Sequence, residues 1–409
     1  MSSTSKVIFS KTGWVILIAA LGYFVDIYDL ILFSIVRQKS LLGLGVEKDN
    51  LLPIGVILIN WQMGGMLLGG LLWGILGDKK GRVSVLFGSI FLYSTANLLN
   101  GFVQSVNQYA ALRFIAGLGL AGELGAGITL VSEIMSKETR GYGTMIVATI
   151  GVSGAIFAAL IGDYFTWRTA YLIGGFMGFI LLFFRIGVYE SGMFNSVIDS
   201  KVKRGDFFLL FKSWHRMSRY LFTILLAVPV WYVIGILITF SPEIAKDMGM
   251  AQLPNPARAV LCAYIGITMG DFSSGYLSQV FKSRKNILVA YILMTIIFVM
   301  LYFRFASSSL TAFYAIVFGL GISTGYWAVF VTTAAELFGT NIRATVTTTA
   351  PNFVRGSVLL LTGLFSYFKS FTSTTNAAMA VGVITFIFAT IAVFSIEETF
   401  GKDLDYFEN

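Results

Sequence analysis

Charge is scarce in this chain. Only 12% of its 409 residues are Asp, Glu, Lys or Arg, against about a quarter in soluble proteins. Cysteine and histidine are scarcer still. The single Cys262 rules out an intrachain disulfide, and it falls in an apolar run, where a lone thiol packs as a small apolar group. The single His215 sits in a basic loop. One His and one Cys far apart supply no metal site, so neither a metal nor a cofactor is expected. No nucleophile–base constellation is visible, which argues against an enzyme. The net charge is +8, but membrane proteins retain Lys and Arg in cytoplasmic loops. The excess is therefore read as topology, and nucleic-acid binding is not expected.

Apolar sequence is abundant: 56% of the residues are hydrophobic and the mean hydropathy is +0.80. Runs long enough to span a bilayer as helices fall at 14–36, 54–77, 83–103, 109–133, 141–163 and 169–188. They resume at 219–241, 258–281, 286–303, 310–336, 342–368 and 376–396. The expectation is an all-α membrane protein with twelve transmembrane helices, six in 1–188 and six in 219–409, with an acidic tail. Lys and Arg favour alternate loops, which puts both termini in the cytoplasm. In the connecting loop 189–218, Phe207, Phe208, Leu210, Phe211 and Trp214 interleave with Lys212 and Arg216. That pattern suits a short helix in the headgroup layer, with a plain linker as the alternative. The first run is too long for a cleavable signal and lacks a small-x-small site.

Two acids interrupt the first run. Asp26 and Asp29 lie i and i+3, on one face of a helix. An intramembrane Asp costs about 2.5–3.5 kcal/mol on insertion scales, so each needs a partner, a proton or water. The two halves also repeat. Glu133 with Arg140 and Glu336 with Arg343 share the same internal spacing and stand 203 residues apart. Gly74-Ile-Leu-Gly-Asp78-Lys79-Lys80-Gly81-Arg82 has a counterpart in Gly275-Tyr-Leu-Ser-Gln279-Val-Phe-Lys282-Ser-Arg284-Lys285. Such duplication marks transporters. Gly65 with Gly69, and Gly117 with Ala121 and Gly125, form small-x-x-x-small rows that let helices approach; these rows are read as packing, and a monomer is expected.

At these residues the chain resembles the major facilitator superfamily. Gly74, Asp78, Lys79, Gly81 and Arg82 match its G-x-x-x-D-[RK]-x-G-R signature. Arg113-Phe-Ile-Ala-Gly117-Leu-Gly119-Leu-Ala-Gly122-Glu123 resembles its span-4 motif, and Tyr28-Asp29 the aromatic-Asp pair of its metabolite:H⁺, organic-acid and sugar symporters. The second copy departs, with Gln279 where the acid would be. Span 5 lacks the Gly-Pro motif of the drug exporters. The resemblance implies two pseudo-symmetric six-helix bundles around a central cavity, rocking between outward-open and inward-open states.

The expected proton-coupling residues are Asp29 and Arg113, with Asp26 and Glu123. By depth Asp29 and Arg113 can meet, either as a protonation switch or as a fixed architectural pair. Arg355 is expected to receive a substrate carboxylate, or else to pair with Asp271. Tyr232, Tyr264, Trp327 and Asn352 are candidate linings. Asp78, Arg82, Glu133, Arg140, Glu336 and Arg343 are expected to form a cytoplasmic gate, with Arg343 reaching Asp78. The reading is a proton-coupled importer of a small, carboxylate-bearing metabolite in the inner (plasma) membrane. An exporting antiporter and a transporter-like sensor stay open as alternatives.

Overall fold

Each apolar run carries a helix in the computed structural model, which describes residues 11–185 and 205–408. In chain order these are α1 (Lys11–Gly43), α2 (Leu51–Lys80), α3 (Arg82–Asn100), α4 (Val106–Leu120), α5 (Glu123–Ile134), α6 (Arg140–Val152), α7 (Gly154–Tyr164) and α8 (Trp167–Phe184). They continue as α9 (Trp214–Leu225), α10 (Val228–Tyr232), a π-helical turn (Val233–Ile238), α11 (Ser241–Asp247) and α12 (Pro256–Val280). Last come α13 (Arg284–Phe305), α14 (Leu310–Thr324), α15 (Trp327–Leu337), α16 (Arg343–Lys369) and α17 (Thr374–Ser395). No strand occurs among the described residues.

Ten helical stretches among the described residues are long and apolar enough to cross a membrane. At 25 and 27 residues α12 and α16 are long enough as well. They are more polar because they face inward: α16 buries Thr345, Thr347, Thr348, Thr349, Asn352 and Arg355. Large apolar side chains such as Leu68, Phe176, Phe183 and Leu360 stay exposed around the outside, the surface a bilayer covers. The protein is a multi-pass membrane protein.

Local chemistry sets the helix ends. Ser105, Thr166, Ser283, Ser309 and Ser373 each accept a backbone N–H three residues on, and Asn255 caps α12, satisfying donors a helix start would leave bare. Two of the broken spans correspond between the repeats: α4 passes to α5 at Gly122, and α14 passes to α15 at Gly325. These glycines also stand 203 residues apart, so the repeat extends to the backbone.

The glycine rows act as packing surfaces. A side chain on Gly65 would strike the Phe114 carbonyl, and one on Gly117 the Gln62 carbonyl, so α2 and α4 touch backbone to backbone. Gly266 and Gly270 of α12 meet Gly321 and Gly325 in the same way. Gly125 lies instead against Thr348 of α16.

The connecting segment is described only from residue 205. Phe207–Phe211 form one 3-10 turn, and α9 starts at Trp214. The apolar stretch thus carries a 3-10 turn, and its last residue, Trp214, opens α9. Lys201, Lys203, Arg204 and Glu190 lie outside the described residues.

Candidate functional site

Asp26 and Asp29 of α1 are both fully buried. Arg355 of α16 donates to Asp26 Oδ2 at 3.4 Å and to the Tyr23 hydroxyl at 3.5 Å. Its guanidinium also lies over the rings of Tyr23 and Trp327, at 5.9 and 5.8 Å. Arg355, Tyr23 and Trp327, with Tyr264, Trp231 and Ile234, line a cavity of about 20 Å³, room for about one water. The cavity abuts the π-helical turn, the kind of local widening found at functional sites. Asp271 faces this region from α12, where its Oδ1 accepts the Ala328 N–H at 3.0 Å. It thereby caps α15 at the break in that span.

Both ends of the helix array are closed around this cavity. At the end holding the 2–3 and 8–9 connections, each of two buried glutamates takes two arginines. Glu133 accepts from Arg82 at 2.8 Å and Arg343 at 3.3 Å. Glu336 accepts from Arg140 at 3.0 Å and Arg284 at 3.4 Å. One arginine in each set comes from the glutamate's own repeat and one from the other. Asp78 accepts the N–H groups of Ala344 (3.2 Å) and Thr345 (2.8 Å) at the start of α16. Gln279, its counterpart, does the same for α6. With its amide oxygen turned inward it accepts from Gly141 at 3.1 Å and Tyr142 at 3.3 Å. An amide can replace the acid there because the task is to accept backbone N–H groups.

The tail lies across this end. Arg140 donates to the Lys402 carbonyl and Arg343 to the Leu404 carbonyl, both at 2.5 Å. Arg219 pairs with Glu408 at 2.6 Å. At the opposite end, Arg37 of α1 pairs with Glu243 of α11 at 2.8 Å and also donates to the Leu51 carbonyl. Asn60 of α2 accepts from Thr362 of α16 at 3.2 Å.

The array of helices around this buried cavity, with ion pairs toward both ends, can be compared with known proteins. Residues 12–358 match the family model described as Major Facilitator Superfamily. The chain belongs to the major facilitator superfamily. It is 28% identical to a Haemophilus influenzae protein named "Putative metabolite transport protein", over 98% of this chain and all of that one. It is 25% identical to the sialic acid transporter NanX of Escherichia coli, over 67% of each chain. Its fold matches the proton:xylose symporter XylE with a TM-score of 0.78, at 14% identity, over 97% of this chain and 98% of that one. The protein is thus a transporter of small molecules and not an enzyme.

Several contacts in this transporter differ from those expected. Asp29 and Arg113 form no ion pair. Arg113 donates to Gln62 and Tyr171 and lies 5.0 Å from the Phe33 ring centre, while Asp29 has Asn97 of α3 beside it. Arg355 pairs with Asp26, not Asp271, because Asp271 is turned to the α15 terminus. Arg343 reaches Glu133, and Asp78 instead caps the helix that Arg343 begins. Tyr232 donates to the Ala378 carbonyl at 2.9 Å, turned toward α17 and away from the cavity; its neighbour Trp231 lines it. Asn352 donates to the Ala121 and Thr348 carbonyls, both at 2.7 Å, and so ties α16 to α4. Tyr264 and Trp327 do line the cavity. Glu123 is paired with Arg185 at the end of α8.

Sequence reasoning missed the Arg37–Glu243 pair. The available signal was a lone basic residue at the end of the acid-bearing first run.

Proposed function

We propose that this transporter is a proton-coupled importer of a small, carboxylate-bearing metabolite: an organic acid, amino acid, osmolyte or carboxylate siderophore. In this reading twelve helices form two six-helix bundles, residues 1–188 and 219–409, in the inner membrane, with both termini in the cytoplasm. Ten qualifying stretches plus the long, polar-faced α12 and α16 support that count.

The observation that carries the reading is Arg355. It is a permanent cation facing the central cavity, held to its acid partner only by a long 3.4 Å contact. A guanidinium presents a planar fork that fits a carboxylate bidentately. An incoming carboxylate can take Arg355 and release Asp26, which then has no cation and takes a proton. Asp29 and Arg113, close but unpaired, are the disengaged state of a second switch. Rocking that opens the Arg37–Glu243 end admits substrate and proton; rocking that opens the Glu133–Glu336 end releases them.

The test is uptake into proteoliposomes of a panel of radiolabelled carboxylates under an inward proton gradient. At least one member should accumulate, and Arg355→Gln should abolish its uptake. If accumulation is driven only by solute moving outward, the antiport reading replaces this one.

A further inference from the structure

The central cavity is one-sided in its chemistry. Of the ten residues that line it, four are aromatic, five are aliphatic and one, Arg355, is charged. The rings belong to Tyr23 of α1, Trp231 of α10, Tyr264 of α12 and Trp327 of α15. Arg355 adjoins two of them, with its guanidinium over Tyr23 and Trp327. Trp327 is the first residue of α15, and Asp271 pins that opening turn by accepting the Ala328 N–H.

Such a lining selects what can join Arg355. Only one cation faces the cavity, so a dicarboxylate would bury its second charge without a partner. No carboxylate is among the lining residues, and Asp26 is neutral once substrate has taken Arg355, so an ammonium finds no anion. A sugar carries more hydroxyls than these walls can bond. The buried Trp327 indole N–H has no hydrogen-bond partner among the described residues, and a carboxylate on Arg355 brings an acceptor next to that ring. Flatness matters as well. A cavity of about 20 Å³ admits no metabolite until α1 parts from α12 and α15. A planar ring, one atom thick, needs the smallest parting, and aromatic walls reward it with offset or edge-on stacking.

We infer that the substrate is an aromatic monocarboxylate, with its carboxylate on Arg355 and its ring packed against Trp327, Trp231 and Tyr264. Arg355 and these three rings all follow residue 219 in the chain, so the second repeat carries the substrate and α1 closes over it with Tyr23. Trp327 is the specificity-determining residue, because its ring lies beside the guanidinium that fixes the carboxylate. The inference rests on Arg355 as the carboxylate receiver proposed above, and it narrows the substrate classes named there to one.

Isothermal titration of the full chain in detergent at pH 7 tests this with three probes. Benzoate is the flat ring, cyclohexanecarboxylate has the same carbon count and charge in a puckered ring, and succinate is the dicarboxylate. Benzoate should bind about five-fold tighter than cyclohexanecarboxylate, the scale of one aromatic pair, and more than about ten-fold tighter than succinate. Arg355→Gln should abolish benzoate binding, which separates the site from uptake by the micelle. Trp327→Leu should bring benzoate down to the level of cyclohexanecarboxylate, while Trp327→Phe keeps the preference. Cyclohexanecarboxylate or succinate binding as well as benzoate in the unmodified chain overturns the inference, whether or not the Leu variant folds. An undiminished preference in a folded Trp327→Leu variant does the same. Succinate bound through Arg355 with no benzoate bound also overturns it, yet leaves the carboxylate reading standing. Benzoate binding that survives Arg355→Gln removes that reading and the inference together.

Discussion

Arg140 and Glu336, 196 residues apart in sequence, meet at 3.0 Å in a buried contact. Arg343 and Glu133 return the exchange at 3.3 Å. Each repeat thus lends an arginine to the other's glutamate. Removing one partner of a buried pair leaves a charge stranded, at about 3–5 kcal/mol. Glu336→Gln strands both Arg140 and Arg284. It should open this end and lower the thermal midpoint measurably. The charge swap Arg140→Glu with Glu336→Arg should recover part of the loss, a coupling of about 0.5–3 kcal/mol in a double-mutant cycle.

The opposite end depends on fewer bonds. Glu243→Gln weakens its contact with Arg37, and hydrogen bonds to charged groups contribute about 1.5–3 kcal/mol. This end should open roughly ten-fold more often, since about 1.4 kcal/mol is one decade. An impermeant thiol reagent applied from outside, acting on Ile234→Cys in a Cys262→Ser background, should react about ten-fold faster. Unchanged reaction would remove Arg37 from the gate.

Glycine rows make a graded prediction. A Cβ on Gly117 would strike the Gln62 carbonyl, whereas one on Gly64 would meet nothing within 4 Å. Gly117→Ala should destabilise by about 1–3 kcal/mol through overpacking. Gly64→Ala should stabilise by up to about 1 kcal/mol through helix propensity. Thermal unfolding of the two variants side by side checks the sign of each.

Acid should release the tail. Burial acts to raise the Glu398 carboxyl, but hydrogen bonds from Ser283 and from the N–H groups of Arg284, Phe400 and Lys285 outweigh it and hold it below its ordinary value. A carboxylate depressed in the folded state adds stability above its unfolded value, about 4.3. That contribution is lost as pH falls through the folded value. Between pH 5 and 8 docking should therefore be constant. Below about pH 4, protection of the tail should fade, read by cleavage with an acid-active protease. Glu398→Gln should show the exposed tail already at pH 7.

Much of this was legible in the sequence, because membrane spans announce themselves by length and hydropathy. The 203-residue repeat located Glu133, Arg140, Glu336 and Arg343, and Arg355 stood out as an isolated charge. Pairings were not legible. Depth along a helix brought Asp29 and Arg113 level, but the direction each side chain faces depends on rotation against neighbours. Gln62 and Tyr171 were the nearer partners of Arg113, and nothing local marks them. The mid-span breaks at Gly122 and Gly325 were hidden as well, since an apolar run reads the same whether its helix is continuous or broken.

Proton movement with substrate tests the central claim most directly. Vesicles bearing the transporter, in weakly buffered medium, would receive the carboxylate that the uptake panel identifies, while external pH is recorded. The account predicts that the medium turns alkaline as substrate enters. It also predicts that Asp29→Asn still exchanges substrate at equilibrium but leaves pH unchanged. Substrate entry without alkalinisation, or an Asp29→Asn variant that moves protons as well as the unmodified chain, would contradict it.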